Sequence, residues 1–127
     1  MAKGRRQSLN FSTTKAGVSA LGTVTTKFQL PFRFRIMYLY IKNMVGQAYN
    51  LQIRVFIGPR GSNQDQNVFF SGDNSVAYVA GDDDEVVLTD VDPTGEVDYF
   101  VTVEYYNADV ANALTGKVII KVEEVTD

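Results

Sequence analysis

Residues 49–57 read YNLQIRVFI, and this stretch decides the fold class. One parity is apolar throughout and consists of Tyr49, Leu51, Ile53, Val55 and Ile57, while the residues between them are mostly polar. Alternation with a period of two is typical of a β-strand that buries one face and exposes the other to water. Antiparallel sheets commonly have one such wet face. The stretch therefore predicts a core strand of an antiparallel sheet.

The same period recurs along the rest of the chain. It covers residues 28–41, 97–106 and 117–123, with shorter β-rich segments between these runs. Clusters of Gly, Pro, Asn and Asp separate the runs, as expected of turns. Together with a weak pair of strands before residue 29, the pattern predicts about eight strands and an all-β, single-domain antiparallel β-sandwich. A jelly roll is the favoured topology.

The run at residues 28–41 carries a more specific expectation. Its aromatic parity ends in Tyr38 and Tyr40, and the opposite parity holds Leu39 and Ile41. We expect one continuous strand here, with the aromatic side chains facing the core and the aliphatic ones facing outward.

Composition limits the chemistry that the chain can perform. The chain has 127 residues, without Cys or His, which excludes disulfides, thiol catalysis and every triad that needs His. We expect one domain over residues 1–127, in which residues 1–16 form a basic N-terminal arm. No apolar stretch approaches the 18 residues of a membrane span, and we expect neither a secretory signal nor enzymatic activity.

Charge is divided sharply along the chain. Residues 1–64 contain ten of the twelve Lys and Arg and no Asp or Glu, whereas residues 65–127 contain two basic and all fifteen acidic residues. The halves carry +10 and −13 within a net charge of −3. Two interpretations are open: the charges pair within one subunit across neighbouring strands, or they join two subunits.

The second interpretation predicts an interface. Its basic side is the N-terminal arm, represented by Lys3, Arg5, Arg6, Phe11 and Lys15. Its acidic side is a loop that contains Asp82, Asp83, Asp84 and Glu85. Docking of the arm of one subunit on the acidic loop of the next is a heterologous contact, which closes into rings or propagates into a lattice.

Two further groups of residues are candidate binding sites. Carboxylates at Asp82, Asp84, Asp90 and Asp92 are a candidate weak Ca²⁺ site, with solvated turn aspartates as the alternative. No other cofactor and no small-molecule substrate is expected. Aromatic residues at Phe56, Phe100 and Tyr106 lie on the parity opposite the core and predict an exposed patch, suited to sugar stacking or to a subunit contact.

The chain resembles a family at the level of pattern. A Cys-free sequence with a basic Met-Ala-Lys-Gly-Arg-Arg start, about eight strands and an acidic second half is similar to the small single jelly-roll structural proteins of viruses and bacteriophages, of the capsid, penton or decoration type. The resemblance implies a non-catalytic component of the virion, made in the host cytoplasm, that packs against copies of itself or a larger coat protein.

Two other functions are kept as alternatives. The first is a carbohydrate-binding β-sandwich module, and the second is a nucleic-acid-binding β protein. The first fifteen residues hold four basic residues, fewer than the arginine-rich arms that package genomes, so nucleic acid ranks behind the other partners.

Overall fold

The computed structural model describes residues 8–43, 50–69, 78–82, 85–89, 91 and 93–125, and for residues 8 and 10–17 it describes the backbone alone. The described residues form nine strands: β1 (Ser8–Val18), β2 (Thr23–Gln29), β3 (Phe34–Asn43), β4 (Leu51–Gly58), β5 (Gln66–Asn67), β6 (Glu85–Thr89), β7 (Thr94–Gly95), β8 (Phe100–Asn107) and β9 (Leu114–Glu124). None of the described residues belongs to a helix that could cross a membrane.

The strands form two antiparallel sheets that pack face to face. The first sheet has the order β1-β9-β3-β6, with the short β7 also paired to β3, and the second has the order β2-β8-β4-β5. Apart from β7, the pairing is nested: β1 pairs with β9, β2 with β8, β3 with β6 and β4 with β5. A long ribbon folded on itself in this way is a jelly roll, which confirms the predicted topology.

The core lies between the inner faces of the two sheets. Its largest fully buried side chains include Tyr105, Phe34 and Ile36, and its aliphatic part comes from alternate residues of β4, β8 and β9. In β4 the parity that was expected to be apolar and buried is indeed in the core, from Leu51 to Ile57. Burial of such side chains, at about 25 cal/mol for each Å² of apolar surface, is the main force that holds the sheets together.

The expected single strand over residues 28–41 is wrong. The structure divides it into β2, which ends at Gln29 in the second sheet, and β3, which begins at Phe34 in the first. Pro31 lies in the connection and has no backbone N–H for a sheet ladder. Its neighbours Leu30 and Phe32 are buried and close one end of the core.

The expected orientation of the second half of this run is also wrong. Ile36 pairs with Val122 and Tyr38 pairs with Lys121, so Met37 is an extra residue in β3. Such a β-bulge reverses the side-chain parity of everything that follows it. Leu39 and Ile41 are consequently fully buried in the core, and the tyrosines lie on the outer face.

Only residues 8–16 of the predicted N-terminal arm are described. They lie in β1, an edge strand that pairs with β9 of the same chain, and not outside the sheet. The segment contains Leu9 and Phe11 among Ser, Thr and Asn residues and has a single Lys, which suits an edge strand at least as well as an arm.

Candidate functional site

The predicted aromatic patch is not assembled on the surface. Phe56 has no exposed surface, although it lies on the outer side of the second sheet, and Thr102 directly opposite it is buried as well. The prediction that Phe56 is exposed is therefore wrong.

The loop between β4 and β5 lies over part of this outer face. Gly61 has a φ of 66°, and a Cβ there would be 3.0 Å from the Lys27 side chain and 3.1 Å from the Phe100 ring. Only Gly adopts this backbone conformation at no cost and allows so close an approach. The buried carboxylate of Asp65 holds the loop because it accepts hydrogen bonds from the backbone N–H groups of Arg60 and Gly61, at 3.1 and 2.7 Å.

Phe100 and Tyr106 are half-buried on the same face but far apart. They are six residues apart in β8, which corresponds to about 20 Å along the strand. The ammonium of Lys27 also lies 5.3 Å from the centroid of the Phe100 ring. The two rings therefore do not form one platform for a sugar.

The centre of this face is occupied by a partly buried ion pair. Arg54 Nη1 lies 3.7 Å from Glu104 Oε1, and the two side chains are 13% and 16% exposed. The guanidinium also stacks 5.1 Å from the centroid of the Tyr78 ring. This cation is engaged within the subunit.

Four ion pairs of the described residues share one property: each joins a cation of the first half of the sequence to a carboxylate of the second half. They are Arg33–Glu96 at 3.5 Å, Arg35–Glu123 at 3.6 Å, Lys42–Glu85 at 3.9 Å and Arg54–Glu104 at 3.7 Å. The nested topology is the reason, because it lays each early strand beside a late one. At these residues the charges pair within one subunit, as the first of the two interpretations expects.

The predicted basic arm and acidic loop belong to different places in the first sheet. Lys3, Arg5 and Arg6 lie outside the described residues, whereas Phe11 and Lys15 stand in β1 opposite Ile120 and Gly116. Asp83 and Asp84 are also outside the described residues. Asp82 precedes β6, and Glu85 is the first residue of that strand, at the far edge of the sheet.

The first residue of β1 and the acidic loop also lie at opposite ends of the strands. Ser8 and Arg35 both pair with Glu123, so they lie at the same height along the strands. Glu85 pairs with Lys42, Lys42 pairs with Lys117, and Lys117 pairs with Thr14. Glu85 therefore lies at the same height as Thr14. Ser8 and Thr14 are six residues apart, about 20 Å along the strand. The chain therefore enters β1 at one end of the sandwich and presents the acidic loop at the other.

The predicted calcium site is divided by β6. Asp84, Asp90 and Asp92 lie outside the described residues, and the whole of β6 separates the loop of Asp82 from the loop that follows Thr89. A five-residue strand spans about 16 Å. Within the described ranges, no group of three carboxylates is close enough to share an ion, so the calcium site stays a prediction.

The outer face of the first sheet is a surface that the sequence pattern missed. One row across it runs from Val87 through Tyr40 and Ile119 to Ser12, each directly opposite the next. Val87 is 51% exposed, and Lys121 Nζ lies 5.8 Å from the Tyr38 ring centroid. The bulge at Met37 creates this face, and a β-bulge has no dependable sequence signal.

Glu85 interacts with Tyr40 on this face as well as with Lys42. Desolvation, followed by the charge of Glu85 and its hydrogen bond to the hydroxyl, raises the pKa of Tyr40. The face therefore presents a neutral phenol beside an ion pair at physiological pH.

Among the described residues, Asp109 in the β8–β9 loop also has a shifted pKa. The backbone N–H groups of Ala111 and Asn112 donate to Asp109 Oδ1 at 2.8 and 2.9 Å and lower the pKa of this carboxyl. A carboxylate that accepts such bonds favours its charged form. Its role is to shape the loop.

Comparison with known proteins shows the fold. No protein-family model and no curated protein sequence matches the chain. Among solved structures, the capsid asymmetric unit of cyanophage Pam1 is similar with a TM-score of 0.53 and 15% identity, over 95% of this chain and 85% of that one.

A second solved structure shares the fold as part of a larger molecule. The complex of the Aeromonas sobria serine protease with its chaperone is similar with a TM-score of 0.53 and 10% identity. The match covers 97% of this chain but 28% of that chain. The sandwich is thus found both in a capsid component and within a larger protein.

Proposed function

We propose that the chain is a non-catalytic structural protein of a virion shell, which packs against copies of itself or against a larger coat protein. The observation that carries the proposal is the nested jelly-roll topology over nearly the whole described chain, combined with the likeness to a phage capsid unit that spans most of both chains. The partly covered outer face of the second sheet and the separation of Phe100 from Tyr106 weigh against the carbohydrate-binding alternative.

The position of the N-terminus supports a contact between subunits. Arg5 precedes Ser8 by three residues, so the backbone between their Cα atoms spans at most about 11 Å. Glu85 lies about 20 Å away along the strands and three strand spacings, about 14 Å, across the sheet. This separation favours an end-to-end contact between two subunits over a contact of Arg5 or Arg6 with the acidic loop of the same subunit.

Particle size tests the proposal. We expect light scattering and electron microscopy to find assemblies much larger than the 14.1 kDa chain at low salt, and smaller ones at high salt because charge contacts are screened. The chain alone, and the chain mixed with a coat protein from its source, are the two samples. A monomer in both samples at every salt concentration would contradict the proposal.

Charge reversal tests the role of the arm. Arg6→Glu should weaken or abolish assembly at low salt, whereas Arg60→Glu, in an exposed position of the β4–β5 loop, is the control with the same charge change and should leave assembly unaffected. Deletion of residues 2–7 is the matching truncation, because a longer deletion would remove residues of β1. Retention of a monomer on polysaccharide or nucleic acid would favour one of the two alternatives.

A further inference from the structure

Both outer strands of the first sheet have one edge without a strand partner among the described residues. β1 pairs with β9 and β6 pairs with β3, and neither has a second partner strand in the described ranges. Unpaired strand edges present a row of N–H and C=O groups that another strand can satisfy. β1 has eleven residues without Pro or a carboxylate, so it has few of the features that protect an edge.

The directions of these two strands are complementary. Each neighbouring pair in the order β1-β9-β3-β6 is antiparallel, so β1 and β6 run in opposite directions. A second copy displaced sideways, with the usual twist between strands, therefore brings its β6 antiparallel to β1. A four-stranded antiparallel sheet extends in this way without reversing either subunit.

The charges of the two edges are complementary too. Within β1 the charged residue is Lys15. Between residues 78 and 92, which include β6, there are six carboxylates and no cation. Like edges would bring like charges together, whereas β1 beside β6 brings opposite charges together and so favours the heterologous pairing.

We propose that β1 of one copy pairs with β6 of a second copy, so that the first sheet runs continuously through the contact. The proposal rests on the proposed function and adds a side-by-side contact to the end-to-end contact of the arm. The rows of the sheet set the expected register: Ser12 is level with Val87, and Asn10 is level with Thr89. Side-by-side packing without stagger therefore places Ser12 opposite Val87 of the next copy.

A cysteine pair tests this register because the chain has no Cys of its own. Within one subunit Ser12 and Val87 are separated by β9 and β3, about 14 Å, which exceeds the 7 Å or so that a disulfide allows between Cα atoms. Every disulfide in the variant Ser12→Cys with Val87→Cys must therefore join two chains. The variant Asn10→Cys with Thr89→Cys tests the same contact two rows along the sheet.

The control pairs Ser12→Cys with Val110→Cys, since Val110 is 80% exposed in the β8–β9 loop. Under mild oxidation we expect the first two variants to give a ladder of covalent oligomers in at least tenfold excess over the control. Light scattering on the reduced samples reports assembly independently of the disulfides, and circular dichroism confirms folding.

Each other outcome overturns the proposal in a distinguishable way. Covalent dimers from Ser12→Cys alone, with no ladder, would show that β1 pairs with itself. Folded samples that assemble by scattering but give no ladder would reject the edge contact and leave the proposed function standing. Samples that stay monomeric and give no ladder would reject both.

Discussion

The side chain of Asn107 ties together three segments at one end of the sandwich. It is fully buried, and its Nδ2 donates hydrogen bonds to the carbonyl oxygens of Val18 and Asn112 at 2.9 and 2.7 Å. Its Oδ1 accepts a bond from the backbone N–H of Asp109 at 2.8 Å. The end of β1, the end of β8 and the β8–β9 loop thus depend on one amide.

This arrangement predicts a large effect of a small change. In Asn107→Asp the carboxylate cannot donate to the two carbonyls, and a charge is placed in a buried position, so we expect the free energy of unfolding to fall by about 2–4 kcal/mol. Urea denaturation measures the change. Asn63→Asp, in an exposed turn, is the matched control and should stay within about 0.5 kcal/mol of the parent. Equal losses in both variants would contradict the assigned role.

At the scale of the element, the bulge in β3 decides which side chains form the core. Met37 is the additional residue, and it moves Leu39 and Ile41 inward and Tyr38 and Tyr40 outward. The core of the first sheet and the character of its outer face therefore both follow from one inserted position. The same bulge builds the row of Val87, Tyr40 and Ile119.

Truncation of two adjacent residues tests the bulge. Leu39→Ala should lower the free energy of unfolding by about 2–5 kcal/mol because it leaves a cavity, whereas Tyr40→Ala should cost about 1 kcal/mol because its side chain is partly in solvent. Thermal and urea denaturation of the two variants check the order. A greater loss in Tyr40→Ala would mean that β3 continues its simple alternation past Met37.

At the scale of the whole molecule, the jelly roll brings the basic and acidic halves of the sequence together. The nested pairing lays early strands beside late ones, and four ion pairs cross between the halves. At these four pairs the division of charge is a property of folding. Under the proposed function, assembly depends on the remaining charges and on unpaired edges and faces.

Double-mutant cycles measure this internal pairing. For Arg54→Met with Glu104→Gln we expect a coupling energy of about 1 kcal/mol, since both side chains are largely shielded from water. For Arg33→Met with Glu96→Gln, both side chains are about half exposed, and the coupling should stay below about 0.5 kcal/mol. Urea denaturation at low and high salt provides both values. A negligible coupling for Arg54 and Glu104 would contradict internal pairing of the charge halves.

Much of the fold could be predicted from local patterns. The alternation at residues 49–57 places Leu51, Ile53 and Val55 in the core, and turn residues separate the strands. The predicted aromatic patch agrees less well with the structure. Phe56 shares the parity of surface residues but is buried on a face over which the β4–β5 loop lies, and nothing in the alternation of β4 indicates a covering loop.

The sequence by itself determined an all-β sandwich of about eight strands, because a period of two and turn chemistry are local properties of the chain. Only the tertiary structure decided which parity of β3 faces the core, since the bulge depends on the register between β3 and β9. The tertiary structure also decided which charged residues become neighbours. Cross-strand neighbours are distant in sequence, so pairs such as Arg35 with Glu123 follow from topology and cannot be inferred from either segment alone.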